Sequence, residues 1–190
     1  REEKKIRMKL KFEDCRLEVF HKDRHYLLSK ANLMADINTD DDMKLEVSTG
    51  HFGGTMIGNG VKLKGIVDFD AAEVPLADLR ISFLDVDLSS MGMGINLHDK
   101  VTMDTHLTGP LSDIHGEGNL YMEELHIPAL NFKNVSGKIN YDGEKLVFTD
   151  VLAGVYGGKL SAEGEDDLDT RYYRIDGKGT DLDTKEALPG

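Results

Sequence analysis

The stretch of sequence that decides the fold reads Gly154-Val155-Tyr156-Gly157-Gly158-Lys159-Leu160-Ser161-Ala162-Glu163-Gly164. A matching stretch 104 residues earlier reads Gly50-His51-Phe52-Gly53-Gly54-Thr55-Met56-Ile57-Gly58-Asn59-Gly60. Both fit G-x-aromatic-G-G-x5-G, although glycine makes up only about a tenth of the chain (20 of 190 residues). Each copy lies between alternating apolar stretches. This predicts tight connections between strands at Gly53-Gly54 and Gly157-Gly158, in a protein that repeats one β unit.

The chain alternates apolar and polar residues at the period of a half-buried strand. The clearest case has Val61, Leu63, Gly65, Val67 and Phe69 on one face, with Lys62, Lys64 and Asp68 on the other. A change of phase between Phe83 and Leu84 predicts a β-bulge. Polar or glycine-containing turns are expected at residues 21–25, at Gly109-Pro110 and at Asp142-Gly143, and a short terminal helix at Thr184–Leu188.

About a dozen short strands of roughly 5–6 residues are expected, which predicts an all-β fold. With no helices to cover their apolar faces, the sheet has to cover itself by closing into a barrel, pairing as a sandwich or curling into a trough. A sheet that curls only partway would leave a long apolar groove on its concave face, and exposed apolar surface of that size normally marks a binding site. The chain would form a single segment, 1–190, with repeat-like units at about 1–100 and 101–190.

Composition excludes several classes of function. A formal net charge of −12 argues against nucleic-acid binding, which relies on clustered Lys and Arg. Cys15 is the single cysteine, so an intrachain disulfide is excluded. No apolar run approaches the ~20 residues that span a bilayer. Because the chain starts at Arg1 with no signal peptide, we expect an internal stretch of a longer protein, with any membrane anchor outside these residues.

The sequence offers no catalytic or metal-binding constellation, and we expect neither an enzyme nor a cofactor. His21 and His25 share a face only on a helix, and here they flank a predicted turn. Asp36, Asn38, Asp40 and Asp42 resemble the start of a calcium loop. That pattern fails because Asp41 and Val47 occupy the positions that require Gly and Glu.

Several motifs resemble those of one family. They are Leu107-Thr108-Gly109-Pro110-Leu111-Ser112-Asp113-Ile114-His115-Gly116-Glu117-Gly118-Asn119-Leu120, Val135-Ser136-Gly137-Lys138-Ile139-Asn140-Tyr141-Asp142-Gly143, Val155-Tyr156-Gly157-Gly158 and Gly179-Thr180-Asp181-Leu182. This succession is similar to the strand-turn-strand repeat of the AsmA-like superfamily, most of all its TamB-like members. It covers residues 103–188 well and 33–88 more loosely.

The resemblance implies a cell-envelope protein of bacteria with two membranes. Members of the superfamily are anchored in the inner membrane and cross the periplasm as a U-shaped β sheet. The apolar interior of that sheet is thought to conduct phospholipid towards the outer membrane. The fold that the resemblance implies for this chain is an elongated, curled antiparallel or mixed sheet with an apolar groove. TamB-like members also pair with an outer-membrane β-barrel protein in outer-membrane protein assembly. The partners implied are phospholipid and such a barrel protein.

A groove of this kind needs smooth aliphatic, aromatic and Met side chains with no buried charge. The residues that suit it are Val61, Leu63, Val67, Phe69, Ile81, Phe83, Val101, Met103, Leu107, Leu120, Met122, Ile139, Leu146 and Phe148. Alternation alone does not separate groove lining from ordinary core packing. Two other functions stay open, a scaffold for outer-membrane protein assembly through exposed strand edges and a β-sandwich binding module.

Overall fold

The computed structural model describes residues 6–21, 24–52, 55–87, 89, 99–127, 129–167, 170 and 172–181. It is all-β, with eleven strands: β1 (Arg7–His21), β2 (Arg24–Asn38), β3 (Asp42–Phe52), β4 (Thr55–Asp68), β5 (Leu76–Asp87), β6 (Lys100–Pro110), β7 (His115–Ile127), β8 (Leu130–Tyr141), β9 (Lys145–Val155), β10 (Gly158–Asp167) and β11 (Tyr173–Thr180). No helix among the described residues is long and apolar enough to cross a membrane.

The eleven strands form one antiparallel sheet in which every strand pairs with its neighbours in the sequence. The sheet is curled and unclosed, with β1 and β11 at its two edges. The predicted all-β, curled and elongated fold is therefore confirmed. At ~4.8 Å between strands, eleven strands give a trough about 53 Å long.

The strands are longer than the sequence indicated, at 8 to 15 residues. The alternation of apolar and polar residues is interrupted inside several strands, and each interruption in the sequence predicts a strand end. Leu17 and Val19, expected to begin a second strand, belong to β1 together with Met8 and Leu10. The bulge at Asp14 divides the 15 residues of β1 into two arms. At ~3.3 Å per residue each arm is roughly 20–25 Å long.

The bulge predicted near Phe83 is confirmed. The pairing of β5 with β6 shifts between Phe83 and Val86, and Asp85 has a φ of 49°. Phe83 and Val86 are both buried, whereas Leu84 and Asp85 between them are exposed. Two successive residues therefore face outwards, so that Val86 returns to the apolar face.

Similar bulges interrupt other strands. Asn134 in β8 has a φ of 50° and is exposed beside Lys133, between the buried Phe132 and Val135. Asp14, Lys30 and Asp150 have φ angles of 50–51° within β1, β2 and β9. Because a bulge bends its strand and increases its twist, these positions account for the curl of the sheet.

The connections are mostly tight hairpins. Asp142-Gly143 joins β8 to β9 as predicted, with Asp142 Oδ1 accepting hydrogen bonds from the backbone N–H groups of Glu144 and Lys145 at 2.9 and 2.8 Å. The turn predicted at Gly109-Pro110 was wrong by one or two residues, because Pro110 still belongs to β6 and the turn spans residues 111–113.

The two glycine-rich stretches lie at hairpin tips. β3 ends at Phe52 and β4 begins at Thr55, while β9 ends at Val155 and β10 begins at Gly158. Tyr156 and Gly157 have φ angles of 49° and 73°, the signs of a type I′ turn, so a tight hairpin turn lies one residue before the predicted Gly157-Gly158. Gly53, Gly54 and the helix predicted at Thr184–Leu188 lie outside the described residues.

Candidate functional site

The pairing register places the predicted groove residues on one face of the sheet. Residues directly opposite in an antiparallel pair share a face. One cross-strand row runs Val61, Phe83, Met103 and Leu120, and the next contains Leu63, Ile81, Thr105, Gly118, Ile139 and Phe148. A third contains Gly65, Leu79, Leu107, Gly116, Tyr141 and Leu146. These rows carry no charged residue from β4 to β9. The first row crosses four strands and the other two cross six, so one apolar face extends from β4 to β9.

The remaining predicted residues adjoin these rows. Val67 follows Gly65 on the same face of β4, and Val101 pairs with the buried Val86. Met122 packs with Val101 in one cluster. Phe69 lies one residue beyond the end of β4, where it packs against the cluster of Val67, Ala77 and Leu79.

Burial divides the predicted residues into two groups. Six of them are buried and belong to the core: Val61, Val67, Phe83, Val101, Met122 and Ile139. The other eight, which are Leu63, Phe69, Ile81, Met103, Leu107, Leu120, Leu146 and Phe148, are only partly buried. Only this second group is available to line an open groove.

The buried part of the apolar face towards its C-terminal end lies on β6 to β9. There Val101, Met122, Phe132, Val135, Ala153 and Val155 form one buried cluster. Leu125, Leu130, Tyr156 and Leu160 pack against it. Side chains of neighbouring strands cover one another here, and this part of the face is a core.

The open part of the apolar face lies on the first strands. Met8 and Phe12 of β1 are 41% and 48% exposed, although they share a face with Ile37 and Leu33 of β2. Leu10, Leu33, Leu45 and Met43 are half-buried. None of these residues was among the predicted groove residues, although the same alternation in the sequence could have identified them.

A cavity of about 610 Å³ opens over the middle of β1 to β4. Its lining consists of three-residue stretches centred on Leu10, Ala35, Leu45 and Gly65, and these four residues are consecutive cross-strand partners. The flanking residues of these stretches, which include Lys9, Asp36 and Glu46, point to the face opposite Leu10 and Leu45, and no neighbouring residue of the apolar face lines the cavity, so it lies on the polar face of the sheet. The volume lies in the ~300–1,000 Å³ range of small-molecule sites.

Gly65 and Gly118 lie where neighbouring strands come closest. A Cβ added to Gly65 would overlap the carbonyl oxygen of Asp78 and would lie 2.7 Å from Leu79 Cα. A Cβ added to Gly118 would overlap the carbonyl oxygen of Asp104 and would lie 2.7 Å from Thr105 Cα. Only glycine fits these two positions on the apolar face, so they contribute directly to the curvature of the trough.

Thr105 is the buried polar side chain of this face among the described residues. It is 7% exposed, and its Oγ1 has no hydrogen-bond partner. A buried hydroxyl without a partner costs free energy, because it has lost its bonds to water. Thr105 is therefore the one polar side chain in its cross-strand row, where it lies between Ile81 and Gly118.

The opposite face is polar and carries ion pairs. The backbone N–H of His126 donates a hydrogen bond to Asp99 Oδ2 at 2.7 Å. The ring Nδ1 of His126 lies 2.8 Å from Asp99 Oδ1. The hydrogen bond with Asp99 raises the pKa of His126, assisted by the charges of Asp99 and Glu124 and opposed by partial desolvation.

Other polar contacts lie on the same face. His106 pairs with Asp78, and Lys138 pairs with Asp150 at 3.5 Å. The hydrogen bonds to the backbone N–H groups of Lys145 and Glu144 lower the pKa of Asp142.

The hairpin of the second glycine-rich stretch is fixed by its aromatic residue. The hydroxyl of Tyr156 donates a hydrogen bond of 2.6 Å to the carbonyl oxygen of Ala129, at the tip of the β7–β8 hairpin. A Cβ on Gly158 would overlap backbone atoms of Thr180 and Asp181. Gly157 therefore lies in the turn itself with a positive φ, and Gly158 begins β10 at a position where only glycine fits.

Within the described part of the chain, no group of three or more His, Cys, Asp and Glu side chains is placed to hold a metal ion. The side chains of His21 and His25 lie outside that part. No protein-family model, curated protein or solved structure matches this chain.

Proposed function

We propose that this chain is a segment of a lipid-transfer protein whose apolar groove carries phospholipid acyl chains between two membranes. The observation that carries the proposal is the exposed apolar face of β1 to β3 in an unclosed sheet, where Met8 and Phe12 are 41% and 48% exposed and Leu10, Met43 and Leu45 are half-buried. Exposed apolar surface of this extent normally marks a binding site. A ligand that fits it is itself apolar and elongated.

Energetics favour an acyl chain as the ligand. Burial contributes ~0.8 kcal/mol per CH₂ group, or more than ~10 kcal/mol for a sixteen-carbon tail before the costs of binding. A face without charge offers no site that would trap a headgroup. The charged headgroup would then remain in water at the open side of the sheet while the tail lies in the trough.

The resemblance to AsmA-like proteins supports the cellular setting of this proposal. On that resemblance we propose that the segment lies in the periplasm, as part of a protein whose inner-membrane anchor lies outside these residues. In that setting, phospholipid enters the groove from one membrane and leaves it at the other.

Binding of a fluorescent phospholipid and native mass spectrometry of the purified protein test the proposal. We expect the wild-type protein to bind the probe and to carry phospholipid. Leu45→Asp places a carboxylate on the apolar face of β3 and should abolish both. Leu152→Asp is the matched control, because Leu152 is 57% exposed on the opposite face of β9.

Circular dichroism of the two variants separates loss of binding from loss of fold. A wild-type protein that carries no lipid and binds no probe would refute the proposal. Equal binding by wild type and a folded Leu45→Asp variant would refute the placement of the groove.

A further inference from the structure

Charge is divided unevenly along the chain. Residues 1–68, which include β1 to β4, contain 13 Lys and Arg against 12 Asp and Glu, whereas residues 69–190 contain 10 against 23. The negative charge of the chain therefore lies in its later part. An anion that approaches β1 to β4 is repelled far less than one that approaches the later strands.

The cavity over β1 to β4 lies between two rows of outward-facing side chains. One row contains Lys9, Asp36, Lys44 and Ile66, and the other contains Lys11, Met34, Glu46 and Lys64. The backbone between the rows forms the floor, because the side chains of the intervening residues point to the apolar face. Three strand spacings of ~4.8 Å make the cavity about 14 Å long.

Positive charge is in excess in this lining. Its four lysines and two carboxylates give a net charge of +2. Asp36 pairs at 4.0 Å with Arg7, which lies outside the cavity. Among the described residues, Lys9, Lys44 and Lys64 form no ion pair, and all three are exposed.

Two of these lysines are placed to hold one anionic group. Lys44 on β3 pairs with Ile66 on β4, so Lys64 is its diagonal neighbour on the same face. Diagonal neighbours lie ~7–8 Å apart, within reach of two long side chains. Lysine ammonium groups bind phosphate and carboxylate as point charges, through charge-assisted hydrogen bonds.

The same cavity offers apolar contact. Met34 and Ile66 are 51% and 41% exposed, although both lie on the polar face. The methylene stems of the lysines add to this apolar surface while their ammonium groups stay in water. A ligand with an apolar body beside its anionic head therefore fits the lining better than a small inorganic ion.

We propose that the cavity over β1 to β4 binds an amphiphilic anion, in which one phosphate or carboxylate group is joined to an apolar body no longer than the cavity. The anionic head contacts Lys44 and Lys64, and the body lies across the strands against Met34. This site is on the face opposite the apolar groove, so it goes beyond the proposed function and does not depend on it.

Isothermal titration calorimetry with three probes, each below its micelle concentration, tests the proposal. The probes are octyl phosphate, octyl glucoside, which has the same tail without the charge, and inorganic phosphate, which has the charge without the tail. We expect octyl phosphate to bind at least about tenfold more tightly than either of the others. Added salt should weaken its binding, because exposed charges are screened.

Substitutions of exposed side chains locate the site without threatening the fold. The double variant Lys44→Glu with Lys64→Glu should weaken octyl phosphate binding at least about tenfold. Lys133→Glu, which reverses an exposed lysine on β8, is the matched control and should leave binding unchanged. Met34→Ser should weaken the binding of octyl phosphate but not that of inorganic phosphate.

Three results would overturn the inference. They are equal affinities for octyl phosphate and octyl glucoside, equal affinities for octyl phosphate and inorganic phosphate, and unchanged binding by the double lysine variant. Leu45→Asp separates this site from the groove, because the Leu45 side chain points to the apolar face. A folded Leu45→Asp variant should lose phospholipid and keep octyl phosphate, and loss of both would place the anion on the apolar face instead.

Discussion

Replacing Gly118 by Ala should destabilise the protein because this glycine lets two strands approach each other closely. The Cβ of an alanine would overlap the carbonyl oxygen of Asp104 and lie 2.7 Å from Thr105 Cα. Both are backbone atoms of β6, so no side-chain rotation relieves the contact. The strands have to move apart instead.

The size of the loss follows from the cost of overpacking. Forcing a backbone shift in a packed region costs ~1–3 kcal/mol. For a protein of this length, 1 kcal/mol lowers the melting temperature by about 2–4 °C, so Gly118→Ala should lower it by roughly 2–12 °C. Gly65→Ala should act similarly, since its Cβ would overlap the carbonyl oxygen of Asp78.

Gly154→Ala is the matched control for this experiment. Its Cβ would lie 3.6 Å from the carbonyl oxygen of Lys133, an ordinary contact. Because alanine restricts the unfolded chain, this variant should be neutral or up to ~1 kcal/mol more stable. Thermal and urea unfolding followed by circular dichroism measure all three variants. Equal melting temperatures for Gly118→Ala and Gly154→Ala would refute the close approach of β6 and β7.

Two further predictions concern polar groups. Thr105→Val removes a buried hydroxyl without a partner and should raise the free energy of unfolding by about 1 kcal/mol in urea unfolding, whereas a loss would show that the hydroxyl is satisfied. The raised pKa of His126 means that its contribution to stability is fully present below 6.5, its ordinary value, and is lost as pH rises through the folded value. The stability difference between wild type and His126→Gln should therefore shrink from pH 6 to pH 9, and a constant difference would contradict the contact with Asp99.

Alternation in the sequence was sufficient to predict the strands and their apolar face, because the period of two is a local property. It placed Leu63, Ile81 and Phe148 on one face, where the register also puts them. The phase change at Phe83 likewise predicted a bulge, because Leu84 and Asp85 both face outwards before Val86 returns to the apolar face.

The division between core and groove could not be predicted in the same way. Val67 and Leu45 have the same local pattern, yet Val67 is buried beside Ala77 and Leu79 whereas Leu45 is only half-buried. The difference depends on how far the sheet curls at each strand. Curl is set by bulges and by close approaches such as that at Gly118, and these arise between residues distant in the sequence.

The bulges and the uneven curl together explain how an apolar trough can remain open and yet be stable. Exposed apolar surface on β1 to β3 contributes little to stability, so the free energy that holds the sheet has to come from elsewhere. The cluster around Val101, Met122 and Val135 supplies it, at the C-terminal end of the face. Every bulge that skips two outward residues keeps this cluster and the exposed apolar side chains of β1 to β3 on one continuous surface. An acyl chain on those side chains therefore lies on the same sheet that the cluster stabilises, and binding does not require the core to open.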